Sequence, residues 1–126
     1  KRHIINEDQL IYVLINQFRF NVILVEKLDF NQQIQMARQA KVFMAYNGTG
    51  FSANLTFTNH RDTIAIELLA KKVQTKTGMT IAKHFNLHHY LILTISKETE
   101  NDDIVADIKK IQNSLEIIFK QENIKI

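Results

Sequence analysis

The feature that most constrains this chain is a switch, repeated along its length, in the spacing of its apolar residues. Short continuous apolar runs, Asn21 to Val25, Lys41 to Ala45, Thr63 to Leu68 and Tyr90 to Ile95, are separated by segments whose apolar residues recur every three or four positions. Continuous β-branched runs read as buried strands, and the three-to-four spacing reads as amphipathic helix. Strands that alternate with helices pair in parallel, because each crossover helix returns the chain to the same edge of the sheet. The expected fold class is therefore α/β, a Rossmann-like three-layer sandwich with a mainly parallel sheet of about four or five strands and helices on both faces.

Individual boundaries follow from capping chemistry. Asn6 with Gln9 forms a capping-box pattern ahead of Leu10, Val13, Leu14 and Phe18, which predicts a helix over about 7–18. Asn21 to Val25 reads as a strand buried on both faces. Asp29 with Gln32 repeats the capping box and starts a helix that runs to about Gln39. Phe51 to Phe57 is a candidate short helix, and Thr75 to Phe85 a longer one despite Gly78. Ser96 to Asp103 reads as a short polar linker, and Asn101 or Asp102 as the cap of the last helix, carried by Ile104, Ile108, Ile111, Leu115 and Ile118.

Composition narrows the class of function. With 126 residues, 45% of them hydrophobic, the chain makes one ordinary domain that needs no metal or disulfide staple. It has no Cys, which removes thiol nucleophiles, zinc knuckles and iron–sulfur clusters and fits a reducing, cytoplasmic setting. Three Gly and no Pro exclude collagen-like and low-complexity chains. The net charge of +3 comes from scattered pairs such as Lys71-Lys72 and Lys109-Lys110, so nucleic acid is not an expected partner. The apolar runs are too short to span a bilayer. Because the chain opens on Lys1 and enters an apolar pair almost at once, it reads as a piece of a longer protein.

In an open parallel sheet, ligands bind beyond the carboxyl ends of the strands. The loop after Ala45 is the best candidate, since Tyr46-Asn47-Gly48-Thr49-Gly50 holds two of the three glycines. Backbone N–H groups there can approach an anion, and a helix starting near Phe51 would aim its positive end at the same point. The pattern lacks the third Gly of a dinucleotide fingerprint and the Gly-Lys-Ser/Thr of a P-loop, so on periodicity alone a tight strand-to-helix turn is the favoured reading. His84, His88 and His89 cluster, and His84 with His88 would share a helix face at i, i+4 if the helix continued that far, without the glutamate of a metalloprotease motif; the three read as surface or partly buried imidazoles. The acidic run Glu98 to Asp103 lacks the spacing and glycine of a calcium loop. Ser52, Ser96 and Ser114 have no nucleophile context.

Several segments then line up, in order, with one family. Arg2-His3-Ile4-Ile5-Asn6-Glu7 resembles the R-x-I-x-N-E opening of the C-terminal half of glycosyltransferase family 61. Leu28-Asp29-Phe30-Asn31-Gln32-Gln33-Ile34, followed by Ala40-Lys41-Val42, is similar to its L-S-F-x-E-Q-I and A-K-V. Tyr46 to Phe57 resembles its glycine turn P-H-G-A-G-L-T-N-L-L-F, Thr63 to Leu68 its V-I-E-I/L strand, and Asp103 to Leu115 its terminal helix. Asn47 stands where most members carry His, and Asn54 falls one residue later than the family's Asn. These departures leave open an altered donor pocket, a divergent subfamily or a lost activity.

The resemblance implies one half of a GT-B enzyme: an inverting, metal-independent transferase of polysaccharide or glycan biosynthesis, of the capsular polysaccharide type, with this chain as the nucleotide-sugar-binding half and no cofactor. Its expected partners are a nucleotide-sugar donor, a saccharide acceptor and a missing N-terminal domain, with peripheral membrane association of the full-length protein also in view. The donor's diphosphate then needs amides and cations around it. The implied donor- and phosphate-binding residues are Asn47, Gly48, Thr49, Gly50, Phe51 and Asn54, with Arg2 as a cation and Glu67 as an acceptor for ribose hydroxyls. A surface carboxylate for Glu67 and a frayed terminus for Arg2 are the plainer alternatives. The catalytic base is not assigned. A flavodoxin-like interaction or regulatory module, and a nucleotide-binding domain of another class, are the competing functional readings.

Overall fold

The computed structural model describes residues 4–46, 53–59, 61–69, 83–84, 88–93, 95–98 and 104–126. The chain divides into two compact units, Leu24–Leu93 and a second made of Lys1–Ile23 with Thr94–Ile126.

The unit Leu24–Leu93 is built on a parallel sheet of three strands, β1 (Val42–Tyr46), β2 (Ile64–Leu69) and β3 (His88–Leu93), in the order β1-β2-β3. The class is α/β as expected, with three parallel strands among the described residues where the sequence suggests four or five. Val42 pairs with Ile64 and Tyr46 with Leu68, while Ile64 also pairs with His88 and Leu69 with Leu93. β2 is central, and Ile64 to Leu68 are all buried, which is why this strand carries no alternating polar residues.

Before the sheet comes the helix α2 (Phe30–Gln39). Its start is the capping box the sequence shows: Gln32 N–H donates to Asp29 Oδ1 at 2.8 Å, and Asp29 N–H donates to Gln32 Oε1 at 3.0 Å. Met36 and Ala40 pack on Phe43, Leu55 and Ala65, so α2 and the helical turn 53–55 share one face of the sheet. The ladder opens where Ile64 N–H donates to Lys41 O and Thr63 Oγ1 donates to Ala40 O, both at 2.9 Å. Thr75 to Phe85, expected as a helix, lies mostly outside the described residues; Lys83 and His84 are helical.

The other unit holds α1 (Glu7–Phe18), the antiparallel pair β4 (Ile95–Glu98) and β5 (Ile104–Ala106), and α3 (Ile108–Gln121). Leu10, Leu14 and Phe18 of α1 and Ile111, Leu115, Ile118 and Phe119 of α3 are buried, and Phe18 meets Phe119 edge-on at 5.4 Å. Gln17 bridges the helices, donating to Glu116 Oε1 and accepting from Gln112 Nε2.

Three expectations need correction. Asn21 to Val25 is not a strand: residues 21–24 are irregular and exposed, Leu24 by 51%, and Val25–Lys27 form a single 3₁₀ turn. Strand propensity expresses a fit to a half-buried pleated surface, and this segment lies on none. Asn6 precedes α1 but makes no side-chain cap. Its Nδ2 instead donates to Ala106 O at 2.9 Å, and its Oδ1 accepts from Ala106 N–H at 2.8 Å, so the amide pairs with β5 as a strand neighbour would. Finally, α3 starts at Ile108 with Asp107 as its cap, accepting from Lys110 N–H at 3.0 Å. Ile104 belongs to β5, and the first three residues of the expected linker, Ser96 to Glu98, belong to β4.

Candidate functional site

Parallel pairing fixes where the carboxyl edge of the sheet lies. Tyr46, the last residue of β1, is level with Leu68 of β2, so both strands end on one side of the sheet. β1 ends at this carboxyl edge, directly before Asn47 in sequence, and the next described residues, 53–55, form a helical turn. Asn47, Gly48, Thr49, Gly50 and Phe51 lie outside the described residues, as does Arg2. Of the residues singled out in the sequence, the structure describes Asn54 and Glu67. Asn54 sits in the helical turn, 3% exposed, next to the fully buried Leu55. Thr58 then closes the segment, its Oγ1 donating to Leu55 O at 2.7 Å.

Glu67 is the fourth of six residues in β2 and is 1% exposed, which excludes the surface-carboxylate alternative. Its Oε1 lies 3.1 Å from His89 Nε2, whose side chain is 12% exposed. Sequence reasoning placed His89 only in a loose cluster with His84 and His88. His88 opens β3, so the shared helix face imagined for His84 and His88 does not exist. The parallel register of β2 with β3 brings Glu67 and His89 together, and no local spacing signals it. Burial pushes the His89 imidazole below its ordinary value of 6.5; the Glu67 charge and hydrogen bond pull the other way and only partly offset it. A neutral ring that carries its proton on Nε2 can donate it to Glu67 Oε1, and that hydrogen bond would hold the tautomer.

The pair lies below the carboxyl edge of the sheet. His89 is level with Ala65, four residues before the end of β2, or roughly 13 Å at about 3.3 Å per residue. That is the backbone level; the ring itself reaches toward Glu67, two residues before the end of β2. Among the described residues no three His, Cys, Asp or Glu side chains gather as a metal site. In the other unit a shallow groove of about 470 Å³ runs between α1 and α3, lined by Tyr12, Val13, Ile108 and neighbouring polar residues, and it holds none of the residues named above. Among the described residues no helix is long and apolar enough to cross a membrane.

The model of the family described as Glycosyltransferase 61 matches residues 1–66, just over half of the chain. The chain belongs to glycosyltransferase family 61. The match takes in α1, α2, β1, the glycine turn and the start of β2, and it ends one residue before Glu67. Comparison with curated proteins and with solved structures gives no match. As a family 61 member the chain has a general role in glycosyl transfer, with a nucleotide-sugar donor and an acceptor as the substrate classes.

Proposed function

We propose that this chain is the donor-binding part of an inverting, GT-B-type glycosyltransferase, and that the loop Asn47 to Phe51 receives the diphosphate of a nucleotide sugar. The observation that supports this reading is the register of β1 against β2, which ends β1 at the carboxyl edge of a parallel sheet, one residue before Asn47. The strand order β1-β2-β3 is also that of one βαβαβ half of a Rossmann-type sheet, which supports a GT-B assignment.

In an inverting transfer an acceptor hydroxyl attacks the anomeric carbon from the face opposite the nucleotide. The new C–O bond forms as the bond to the diphosphate breaks, the acceptor's proton passes to a base, and the nucleoside diphosphate leaves with the bonding pair. Negative charge therefore grows on the diphosphate, where fixed backbone N–H dipoles stabilise it without reorganising. Gly48 and Gly50 leave room for phosphate oxygens to reach those dipoles. Glu67 serves this reading from beneath, two residues before the end of β2, in contact with His89.

Calorimetric titration with uridine and cytidine diphosphates tests the loop. Gly48→Val or Gly50→Val is expected to weaken binding by about tenfold or more, a loss of roughly 1.4 kcal/mol, because a β-branched side chain blocks close approach and disfavours φ > 0. A folded variant, judged by circular dichroism, that binds as tightly as the parent would remove the loop from the site. Absence of binding by the parent would favour an interaction module whose glycine turn is only structural.

A further inference from the structure

The helix α1 has two unlike sides. Leu10, Leu14 and Phe18 are buried, as the inward stripe of an amphipathic helix should be. The other side is not uniformly polar. Asp8, Tyr12 and Ile15, with Arg19 at the carboxyl end, recur along it every three or four residues, and all four are exposed. Tyr12 is 68% and Ile15 43% exposed, and Tyr12 is the most exposed large apolar side chain among the described residues. Neither Asp8 nor Arg19 makes an ion pair among the described residues. Beside the stripe, toward α3, runs the groove that Tyr12 and Val13 line together with Ile108 and Gln112. A ridge of side chains next to a furrow is the surface on which a second helix packs.

The order of the charges selects that second helix. From Asp8 to Arg19 the stripe reads acid, aromatic, aliphatic, base. Turned end for end it reads base, aliphatic, aromatic, acid, so it complements its own antiparallel copy. The span from Asp8 to Arg19 is about 16 Å at about 1.5 Å per residue. With a two-fold axis at its middle, Asp8 falls level with Arg19 of the second copy, and the same register sets Tyr12 level with Ile15 of the second copy. Each contact occurs twice, as in any isologous interface. Pairing in the same direction would instead bring Asp8 onto Asp8 and Arg19 onto Arg19, which like-charge repulsion opposes.

We propose that the outer stripe of α1 is a self-association face on which two copies of this chain pair antiparallel. The attraction comes from the two Tyr12–Ile15 contacts, Tyr being among the residues that anchor interfaces. Exposed ion pairs add little strength, and here they set direction and register. One helix laid on another is a small contact beside the roughly 800 Å² per partner of a standard interface, so the dimer is weak, with a Kd on the order of 0.1 mM. Nothing in this pairing depends on what the glycine turn binds.

Sedimentation equilibrium of the whole chain from about 10 μM to about 1 mM reads the association directly. The parent is expected to pass from monomer to dimer within that range and to stop there, because an isologous contact closes on itself. Tyr12→Glu should weaken the dimer by about tenfold or more, since it sets a charge in the apolar middle of the contact. Asp8→Arg and Arg19→Asp each place like charges together at both ends and should weaken it several-fold. An equal mixture of those two variants should regain the parent's association, because each chain then carries the charges that complement the other. A parent that stays monomeric throughout, growth beyond a dimer, a dimer that Tyr12→Glu leaves intact, or a mixture no tighter than its components would overturn the proposal. Circular dichroism checks that each variant keeps its helices. If a charge variant loses them, the parent and Tyr12→Glu decide the matter by themselves.

Discussion

Asn6 shows how a residue can be in the right place for the wrong reason. Its position ahead of Leu10, Val13 and Leu14 marks the start of α1 correctly, and the helix does begin at Glu7. The side chain, however, pairs with both backbone groups of Ala106, a hundred residues away in sequence. The two roles make different demands. A capping Asn tolerates Ser or Asp, because each supplies an acceptor oxygen. The observed brace needs a donor and an acceptor together, which among short side chains only the amide provides. Asn6→Asp and Asn6→Ala are therefore both expected to destabilise the protein by about 1–3 kcal/mol, since each leaves a backbone group of the buried Ala106 unanswered. Urea unfolding measures this directly, and an Asn6→Asp variant as stable as the parent would restore the cap. Glu67 and His89 carry the same lesson: their residue types are visible in the sequence, but their contact exists only through the register of two strands.

At the scale of elements, what was legible was what is decided locally. The capping box of Asp29 and Gln32, the period of α1 and the apolar runs of β1 and β2 each belong to one segment, and the structure keeps all four. Asn21 to Val25 has a strand's composition and lacks a strand's setting. The cap of α3 was hidden for a related reason: Asp107 has Lys110 at the third position, so no reciprocal box distinguishes it from the acidic residues just before it. Ile104, spaced like a helix residue from Ile108 and Ile111, pairs with Glu98 in a hairpin instead. Two substitutions separate composition from setting. Ile66→Ala, in the fully buried middle of β2, should cost about 2–5 kcal/mol by leaving a cavity. Ile23→Ala, in the exposed segment, should cost less than about 1 kcal/mol. Equal losses in denaturant unfolding would mean that residues 21–25 lie in a sheet after all.

At the scale of the whole molecule, membership of family 61 sets the chemistry, and in the reading proposed above the carboxyl edge of the sheet receives the donor, but transfer asks for more than a donor. Inversion needs an acceptor hydroxyl in line with the leaving diphosphate, roughly 3–3.5 Å from the anomeric carbon, and a base to take its proton. Those requirements fall on the face opposite the nucleotide. In the two-domain arrangement proposed above, that face belongs to the other domain. His89, the imidazole a base assignment would turn to first, lies well below the carboxyl edge and is engaged with Glu67. The 126-residue chain is therefore expected to bind a nucleoside diphosphate saturably and yet transfer no sugar. The measurement pairs a binding isotherm with an end-point assay, in which the chain is incubated with radiolabelled nucleotide sugars and a panel of saccharide acceptors. Binding with transfer at the enzyme-free background is the expected outcome. Robust transfer by the chain alone would place acceptor site and base within these residues and would end the two-domain reading, while leaving the family assignment intact.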